Sequence, residues 1–66
     1  MDYFITSTKG NAKKILSRHT SYEDALASGE LAFKEAKHDE VISCIQAELD
    51  ADGKIKGKYR LFETWI

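Results

Sequence analysis

The pattern of apolar and polar residues predicts one amphipathic helix, which extends from Thr20 to His38. Wound at 100° per residue, this segment gathers small and aromatic side chains on one face. The residues of that face are Tyr22, Ala25, Leu26, Gly29, Ala32, Phe33 and Ala36. Thr20 can form a capping box with the residue three positions later, and so can Ser21, so the start of the helix is defined to within one residue.

Two residues of this helix bear on its surroundings. Gly29 lies near the centre of the apolar face, where glycine costs about 1 kcal/mol of helix propensity. We therefore expect Gly29 to let the helix lie close to a sheet, with a merely tolerated glycine as the alternative. Leu31 points the opposite way, among charged residues. A lone exposed leucine is ordinary, and Leu31 matters only if a partner covers it.

Before the helix, the sequence predicts a β-hairpin around the dipeptide Gly10-Asn11, which suits a tight turn. Residues 3–8 are rich in β-forming side chains, and residues 13–19 return as a second strand. The opposed pairs are Ile5 with Leu16 and Thr6 with Ile15. Both faces of this hairpin are apolar, so the pattern leaves open which face is buried. A loop that feeds the helix is the alternative to the second strand.

After the helix, residues 40–49 alternate in hydropathy and predict a third strand. A turn at residues 50–53 leads into a long fourth strand, residues 54–66, and Gly53 can supply the left-handed position of a three-residue loop. This turn fixes the register of the second hairpin. The opposed pairs are Leu49 with Ile55, Ala47 with Gly57, Ile45 with Tyr59, Cys44 with Arg60, and Ile42 with Phe62.

One face of this second hairpin is expected to pack against the helix. Its residues are Val41, Ile45, Ala47, Leu49, Ile55, Tyr59, Leu61 and Trp65. The other face is expected to lie open. It carries Ile42, Cys44 and Gln46 beside Lys56, Lys58, Arg60 and Phe62.

Together these elements predict an α+β fold in the order β-β-α-β-β. The fold has an antiparallel sheet of three to four strands, with one helix packed on one face. Residues 1–66 form a single small domain, because a chain of this length has room for only one. The patterns do not determine the order of the strands within the sheet.

Length and composition narrow the class of protein. A chain of 66 residues buries only about 60% of its unfolded surface, so the isolated monomer is marginally stable. Cys44 is the single cysteine, which excludes a disulfide framework and fits a reducing cytoplasm. The N-terminus lacks a signal-peptide pattern, and no apolar run approaches the roughly 20 residues that span a membrane.

Charge is distributed unevenly along the chain, although the net charge is only −1. Residues 1–19 carry +3, residues 20–40 carry −4, residues 41–53 carry −3 and residues 54–66 carry +3. Such an asymmetry can steer an acidic partner. A solvated surface is the more common explanation.

The open sheet face is the first candidate interaction surface. Ile42, Phe62 and Ile66 are expected to form an apolar patch there, and Leu31 adds a second exposed position on the helix. An exposed apolar patch on a small domain indicates a partner. A homodimer could cover the patch or join edge strands, and the small core gives an independent reason for self-association.

The same face supports a nucleic-acid interpretation. Lys56, Lys58 and Arg60 occupy alternate positions, and Phe62 follows at the next. Basic side chains contact phosphates and an aromatic ring can stack on a base. Lys13 and Lys14 of the first hairpin could contribute further contacts. A solvated or protein-contacting face remains the commoner outcome for such a strand.

The sequence offers little support for an enzyme. His19 and His38 lie at opposite ends of the helix, and Ser17-x-His19 lacks a third group to orient the histidine. The segment from Asp50 to Gly53 does not match a calcium loop, which needs a later glycine and a closing glutamate. Cys44 has no second cysteine or adjacent histidine. We expect no metal, no cofactor and no small-molecule substrate.

The sequence therefore predicts a small non-catalytic cytoplasmic binding module that acts through protein–protein contact, as a homodimer. The alternative is a nucleic-acid-binding module that uses the basic and aromatic face of the last strand. The start and the abrupt apolar end are those expected of a complete small reading frame, of the kind common among phage and plasmid accessory genes. The sequence does not identify the partner or the biological process.

Overall fold

The computed structural model describes residues 2–66, within which four antiparallel strands form one sheet and one helix packs against it. The elements are β1 (Asp2–Lys9), β2 (Ala12–His19), α1 (Tyr22–Glu35), β3 (Glu40–Ala47) and β4 (Arg60–Trp65). The strand order is β2-β1-β3-β4, so β1 and β3 are central and β2 and β4 form the two edges. The predicted fold class and element order are confirmed, and the strand order that the sequence left open is now defined.

The helix is shorter than predicted, because both of its ends are fixed by local hydrogen bonds. Ser21 is the N-cap and its hydroxyl accepts from the backbone N–H of Asp24, so the second of the two predicted capping frames is used. At the other end Ala36 takes an extended conformation. The Glu40 carboxylate then accepts the backbone N–H of Lys37, at 3.1 Å, in a turn that leads into β3.

The first hairpin forms as predicted around Gly10-Asn11, with Gly10 in the left-handed region at φ 61°. Thr6 lies opposite Ile15, as expected, but Ile5 lies opposite Ser17 rather than Leu16. A β-bulge between these two pairs inserts Leu16 as an extra residue in β2. The alternative of a loop in place of β2 is wrong.

The helix covers one face of the sheet. Its buried residues Ala25 and Gly29 belong to the face predicted from the periodicity, and Ala25 packs with Ile5, Ile42 and Cys44. Gly29 allows the close approach that its position indicated, although the neighbour is a side chain. A Cβ at Gly29 would lie 2.2 Å from the Trp65 indole, so a larger residue has no room there.

The other face is not open, because the connection between β3 and β4 folds across it. We call this connection, residues 48–59, the strap. Its residues Leu49 and Ile55 pack on a second core cluster of Phe4, Ile45 and Ala47, each of which is only 1% exposed. The sheet therefore lies between the helix and the strap, and its central strands β1 and β3 are buried on both faces.

The strap begins as the predicted turn and then departs from the predicted strand. Leu49 pairs with Ile55, as expected, and Gly53 takes the left-handed conformation at φ 80°. Beyond Lys56 the chain leaves the ladder, with Gly57 at φ 71°. It rejoins only at Arg60, so the long strand predicted over residues 54–66 is reduced to β4.

This departure changes every later pair of the predicted register. Ile45 lies opposite Leu61 instead of Tyr59, and a second bulge follows between Cys44 and Ile45. The observed pairs beyond it are Cys44 with Glu63 and Ile42 with Trp65. The predicted pairing of Cys44 with Arg60 and of Ile42 with Phe62 is wrong, since it assumed a regular ladder.

The prediction of which side of β3 packs against the helix is also wrong. Alternation correctly groups the residues that share a side of the strand, but both sides are apolar. The helix packs on the side of Ile42 and Cys44, and the strap packs on the side of Ile45 and Ala47. Trp65 does face the helix, as expected. Leu61 faces the strap, and the bulge after it shifts the alternation of β4 by one residue, which places Trp65 on the helix side.

Candidate interaction surface along the β4 edge

The four predicted interface residues lie in different environments. Ile42 is 1% exposed beneath the helix, so its predicted place on an open face is wrong. Phe62 is half-buried in an aromatic cluster, with ring centroids 5.6 Å from Tyr3 and 5.4 Å from Tyr22. Ile66 is fully exposed and Leu31 is 64% exposed on the outer side of the helix. These four residues therefore do not form one patch.

The predicted basic array on the last strand does not form either. Lys56 and Lys58 are exposed within the strap rather than in a strand, because the chain leaves the ladder there. Arg60 begins β4 and its guanidinium lies 5.0 Å from the Phe62 ring centroid. Phe62 itself packs inward, so it is not free to stack on a base.

Lys13 and Lys14 lie on opposite faces of the sheet, as alternation along β2 requires. Lys14 pairs with Ser7 on the helix side, whereas Lys13 lies on the strap side. There the Lys13 ammonium is 4.2 Å from the Tyr59 ring centroid. This cation–π contact ties the strap to the edge strand β2.

The two edges of the sheet differ in their protection against further strand pairing. The β2 edge carries three basic residues, Lys13, Lys14 and Arg18, and is interrupted by the bulge at Leu16. Basic side chains and bulges are devices that oppose edge-to-edge association. β2 is therefore a guarded edge.

The β4 edge carries fewer basic residues, although it too is interrupted by a bulge, at Phe62. Its sequence is dominated by β-forming and apolar residues, and Arg60 and Glu63 are its only charges. Leu61 is 56% exposed in this strand, on the same side of the sheet as Ile45. Ile66 follows directly and is fully exposed. A strand with unpaired backbone groups and exposed apolar side chains is a template for a partner.

A groove lies at the end of β4, where the helix, β3 and the last residues of the chain meet. Its volume is ≈ 530 Å³. The apolar residues of its wall are Phe33, Ala36, Val41, Trp65 and Ile66, and residues 37–40 supply a polar wall. The groove lies on the helix side at the opposite end of β4 from Leu61, which is on the strap side, and we call the β4 edge and this groove together the β4 margin. Nothing in the sequence pattern indicated this groove, because it joins residues far apart in the chain.

Glu40 anchors the polar wall of this groove and is held in its charged form. The Ser7 hydroxyl donates to one carboxylate oxygen and the backbone N–H of Lys37 donates to the other. These hydrogen bonds, that from Ser7 first, lower the pKa of Glu40 from its ordinary value near 4.5. Glu40 is therefore a structural anchor between β1 and the end of the helix.

The remaining reactive side chains are the hydrogen-bonded group of Ser17, His19 and Ser28, and the thiol of Cys44. His19 Nε2 lies 2.9 Å from the Ser17 hydroxyl, which is 3.1 Å from the Ser28 hydroxyl. The hydrogen bonds within residues 2–66 give His19 no carboxylate to orient it, as a nucleophilic serine requires. Cys44 is buried, and this burial raises the pKa of its thiol. The negative charge of Glu63 raises that pKa further, so the thiol stays in its neutral, less reactive form.

Within residues 2–66, no group of three or more histidine, cysteine, aspartate or glutamate side chains is arranged to hold a metal ion. α1 is neither long enough nor apolar enough to cross a membrane.

Comparison with protein-family models, with curated proteins and with solved structures yields no match. The function proposed for this chain therefore comes from its own geometry.

Proposed function

We propose that this chain is a small non-catalytic cytoplasmic module that acts through protein–protein contact, and that its contact surface is the β4 margin. The single observation that carries the proposal is Leu61, which is 56% exposed in an edge strand with only one basic residue. Ile66 and the apolar wall of the groove add exposed apolar surface at the other end of the same strand.

The contrast between the edges supports this choice of surface. Both edge strands carry an exposed leucine, Leu16 in β2 and Leu61 in β4. Leu16 is set in a bulge among basic residues, so a partner strand meets charge repulsion or irregular geometry there. Leu61 lies between Arg60 and the bulge residue Phe62, but it is more exposed than Leu16, 56% against 39%, so its contact with a partner removes more apolar surface from water.

Site-specific photo-crosslinking in the producing cell tests the proposal. A photoreactive amino acid replaces Leu61 in one variant and Leu16 in the matched control, since both leucines lie on edge strands. We expect discrete crosslinked species from position 61 and none from position 16. Equal crosslinking at the two positions, or none at either, contradicts the proposal.

Nucleic-acid binding is the second candidate, and one contact supports it. Lys13 of β2 lies against Tyr59 of the strap, and Lys54 borders the same shallow pocket as Lys13. Lys56 and Lys58 are exposed further along the strap. A half-exposed tyrosine among ammonium groups can stack on a base while the lysines contact phosphates. The net charge of −1 weakens this candidate, because nucleic-acid-binding domains are commonly basic.

Lys13 and Lys14 provide a matched pair for its test, because they are adjacent in sequence and lie on opposite faces. Fluorescence anisotropy with short single-stranded RNA and DNA at low salt measures the affinity. If the candidate is right, Lys13→Glu lowers the affinity and reduces the slope of log affinity against log salt by about one unit, while Lys14→Glu leaves both unchanged. Absence of binding at low salt eliminates the candidate.

A further inference from the structure

We infer that the occupant of the β4 margin is a second copy of this chain, whose β4 pairs antiparallel with the first β4 about a two-fold axis. The inference rests on the proposed function and names the partner at the same site. The product is one continuous sheet that crosses both copies, with the helices on one side and the straps on the other. An isologous contact of this kind closes after two copies and does not propagate.

Within residues 2–66, the sheet offers few places for such a contact. The helix covers one face of the sheet and the strap covers the centre of the other, so stacking of two sheets face to face is blocked. The β2 edge carries three basic residues whereas β4 carries one, Arg60, and both edges contain a bulge. A second copy of the chain therefore meets less like charge at the β4 edge than at the β2 edge.

The surface area of the chain agrees with a covered margin. The accessible surface is 4832 Å² for a mass of 7.5 kDa. A monomeric protein of that mass exposes about 4,200 Å², so this chain carries an excess of about 600 Å². A stable dimer interface buries about 600 to 1,000 Å² on each partner. The excess is thus of the size that a small dimer interface removes.

The charges of β4 select the register of the pair. A two-fold axis normal to the sheet sets one residue opposite its own copy. Centring the axis on Arg60 or on Glu63 opposes like charges, which destabilises a cross-strand pair. Phe62 is already engaged with Tyr3 and Tyr22. Leu61 is the exposed candidate, and centring on it sets Arg60 opposite Phe62 of the second copy. The paired segment is then short, residues 60–62, because residues 57–59 lie in the strap.

A cysteine introduced at the centre of this register gives a direct test. In Leu61→Cys the introduced thiol is the accessible one, because Cys44 is fully buried. Opposed residues in antiparallel strands have Cα atoms about 4.5 to 5.5 Å apart, which suits a disulfide. Leu16→Cys on the guarded edge is the matched control. Oxidised glutathione serves as the oxidant, and non-reducing mass spectrometry measures the fraction of disulfide-linked dimer over time.

We expect Leu61→Cys to form the linked dimer at least about tenfold faster than Leu16→Cys, because pairing holds its thiols at a high effective concentration. Sedimentation velocity should show the unmodified chain as a dimer, Leu61→Lys as a folded monomer by circular dichroism, and Leu16→Lys as a dimer. Equal oxidation rates, or a monomer mass for the unmodified chain at high concentration, overturn the inference. Crosslinking from position 61 to a different protein, with a monomer in pure solution, overturns it too but leaves the proposed function standing.

Discussion

The core residues of the two central strands are buried to the same degree on both faces of the sheet, but by different means. On one face a 14-residue helix packs over Ile5, Ile42 and Cys44. On the other face an irregular strap, anchored by Leu49 and Ile55, covers Phe4, Ile45 and Ala47. A helix satisfies its own backbone along its length, whereas the backbone hydrogen bonds within the strap lie in residues 48–56, around the bridge between Leu49 and Ile55. The difference teaches that burial alone does not measure how firmly a core face is held.

The sharpest test of this difference uses two isoleucines of β3 that are equally buried on opposite faces. Ile42 lies under the helix and Ile45 lies under the strap. Truncation of a buried isoleucine costs about 2 to 5 kcal/mol, and the cost is lower where the surroundings collapse into the cavity. We expect Ile42→Ala to lose about 4 kcal/mol and Ile45→Ala about 2 kcal/mol in urea unfolding.

In a domain this small the first variant is close to unfolding, so Ile42→Val and Ile45→Val provide the milder comparison. They should preserve the order, at about 1 kcal/mol or less. Equal losses at the two positions would mean that the strap is as rigid as the helix.

The next largest effect concerns the close approach of the helix to Trp65. A side chain at Gly29 meets the indole ring, so Gly29→Val should destabilise the fold by about 3 kcal/mol through overpacking. Ala27→Val on the exposed side of the same helix is the control and should cost about 0.5 kcal/mol. Tryptophan fluorescence should shift in the first variant alone. Tolerance of valine at position 29 would refute this packing.

Thr6 offers a stabilising change on the strap side. Its side chain is fully buried in β1, and its hydroxyl has no hydrogen-bond partner. Replacing a buried unsatisfied hydroxyl by a methyl group of similar shape removes its desolvation cost. Thr6→Val should therefore raise the free energy of unfolding by about 1 kcal/mol, whereas Thr8→Val, two residues later on the same face, should change it little. A loss of stability in Thr6→Val would show that a bound water satisfies the hydroxyl.

A smaller effect is expected from the contact between Lys13 and Tyr59. A cation–π pair that is partly exposed contributes about 0.5 to 1 kcal/mol. Lys13→Ala should lower the stability by that amount and increase hydrogen exchange in the strap, while Lys14→Ala should do neither. Identical hydrogen exchange of the strap in the two variants would show that this contact does not hold the strap.

Glu40, on the helix side, gives a pH dependence of known sign. Its folded-state pKa is lowered, so its contribution to stability is present above its ordinary pKa near 4.5 and is lost as the pH falls through the folded value. Denaturant unfolding as a function of pH should show a shallower acid dependence in Glu40→Gln than in the unmodified chain. Parallel pH profiles would argue against the hydrogen bonds from Ser7 and Lys37.

The parts that the sequence predicted are those with local, periodic signals. The capping residue Ser21, the turn at Gly10, the close approach at Gly29 and the pairing of Leu49 with Ile55 all follow from residues within a few positions of each other. The α+β class follows from these elements. Local signals of this kind survive the packing of the whole chain.

The errors came from irregularities and from a symmetric pattern. β3 is apolar on both sides, so alternation could not say which side the helix would take. The excursion beyond Lys56 and the bulges in β2 and β4 interrupt ladders that the sequence suggested were continuous. The candidate site changed accordingly. Ile42 and Phe62, predicted on an open face, lie inside the fold. Leu61, predicted on the helix side, lies at the centre of the candidate site.

The strap is the central structural feature, because it covers the face that the sequence left open, and the proposed contact at the β4 edge depends on that cover. A nuclear Overhauser spectrum of the folded protein tests it most directly. The account predicts cross-peaks from the Leu49 and Ile55 methyl groups to the Phe4 ring and the Ile45 methyl groups. Absence of these cross-peaks, with those between Ile42 and Ala25 retained, would contradict it and return the sheet face to solvent or to a partner.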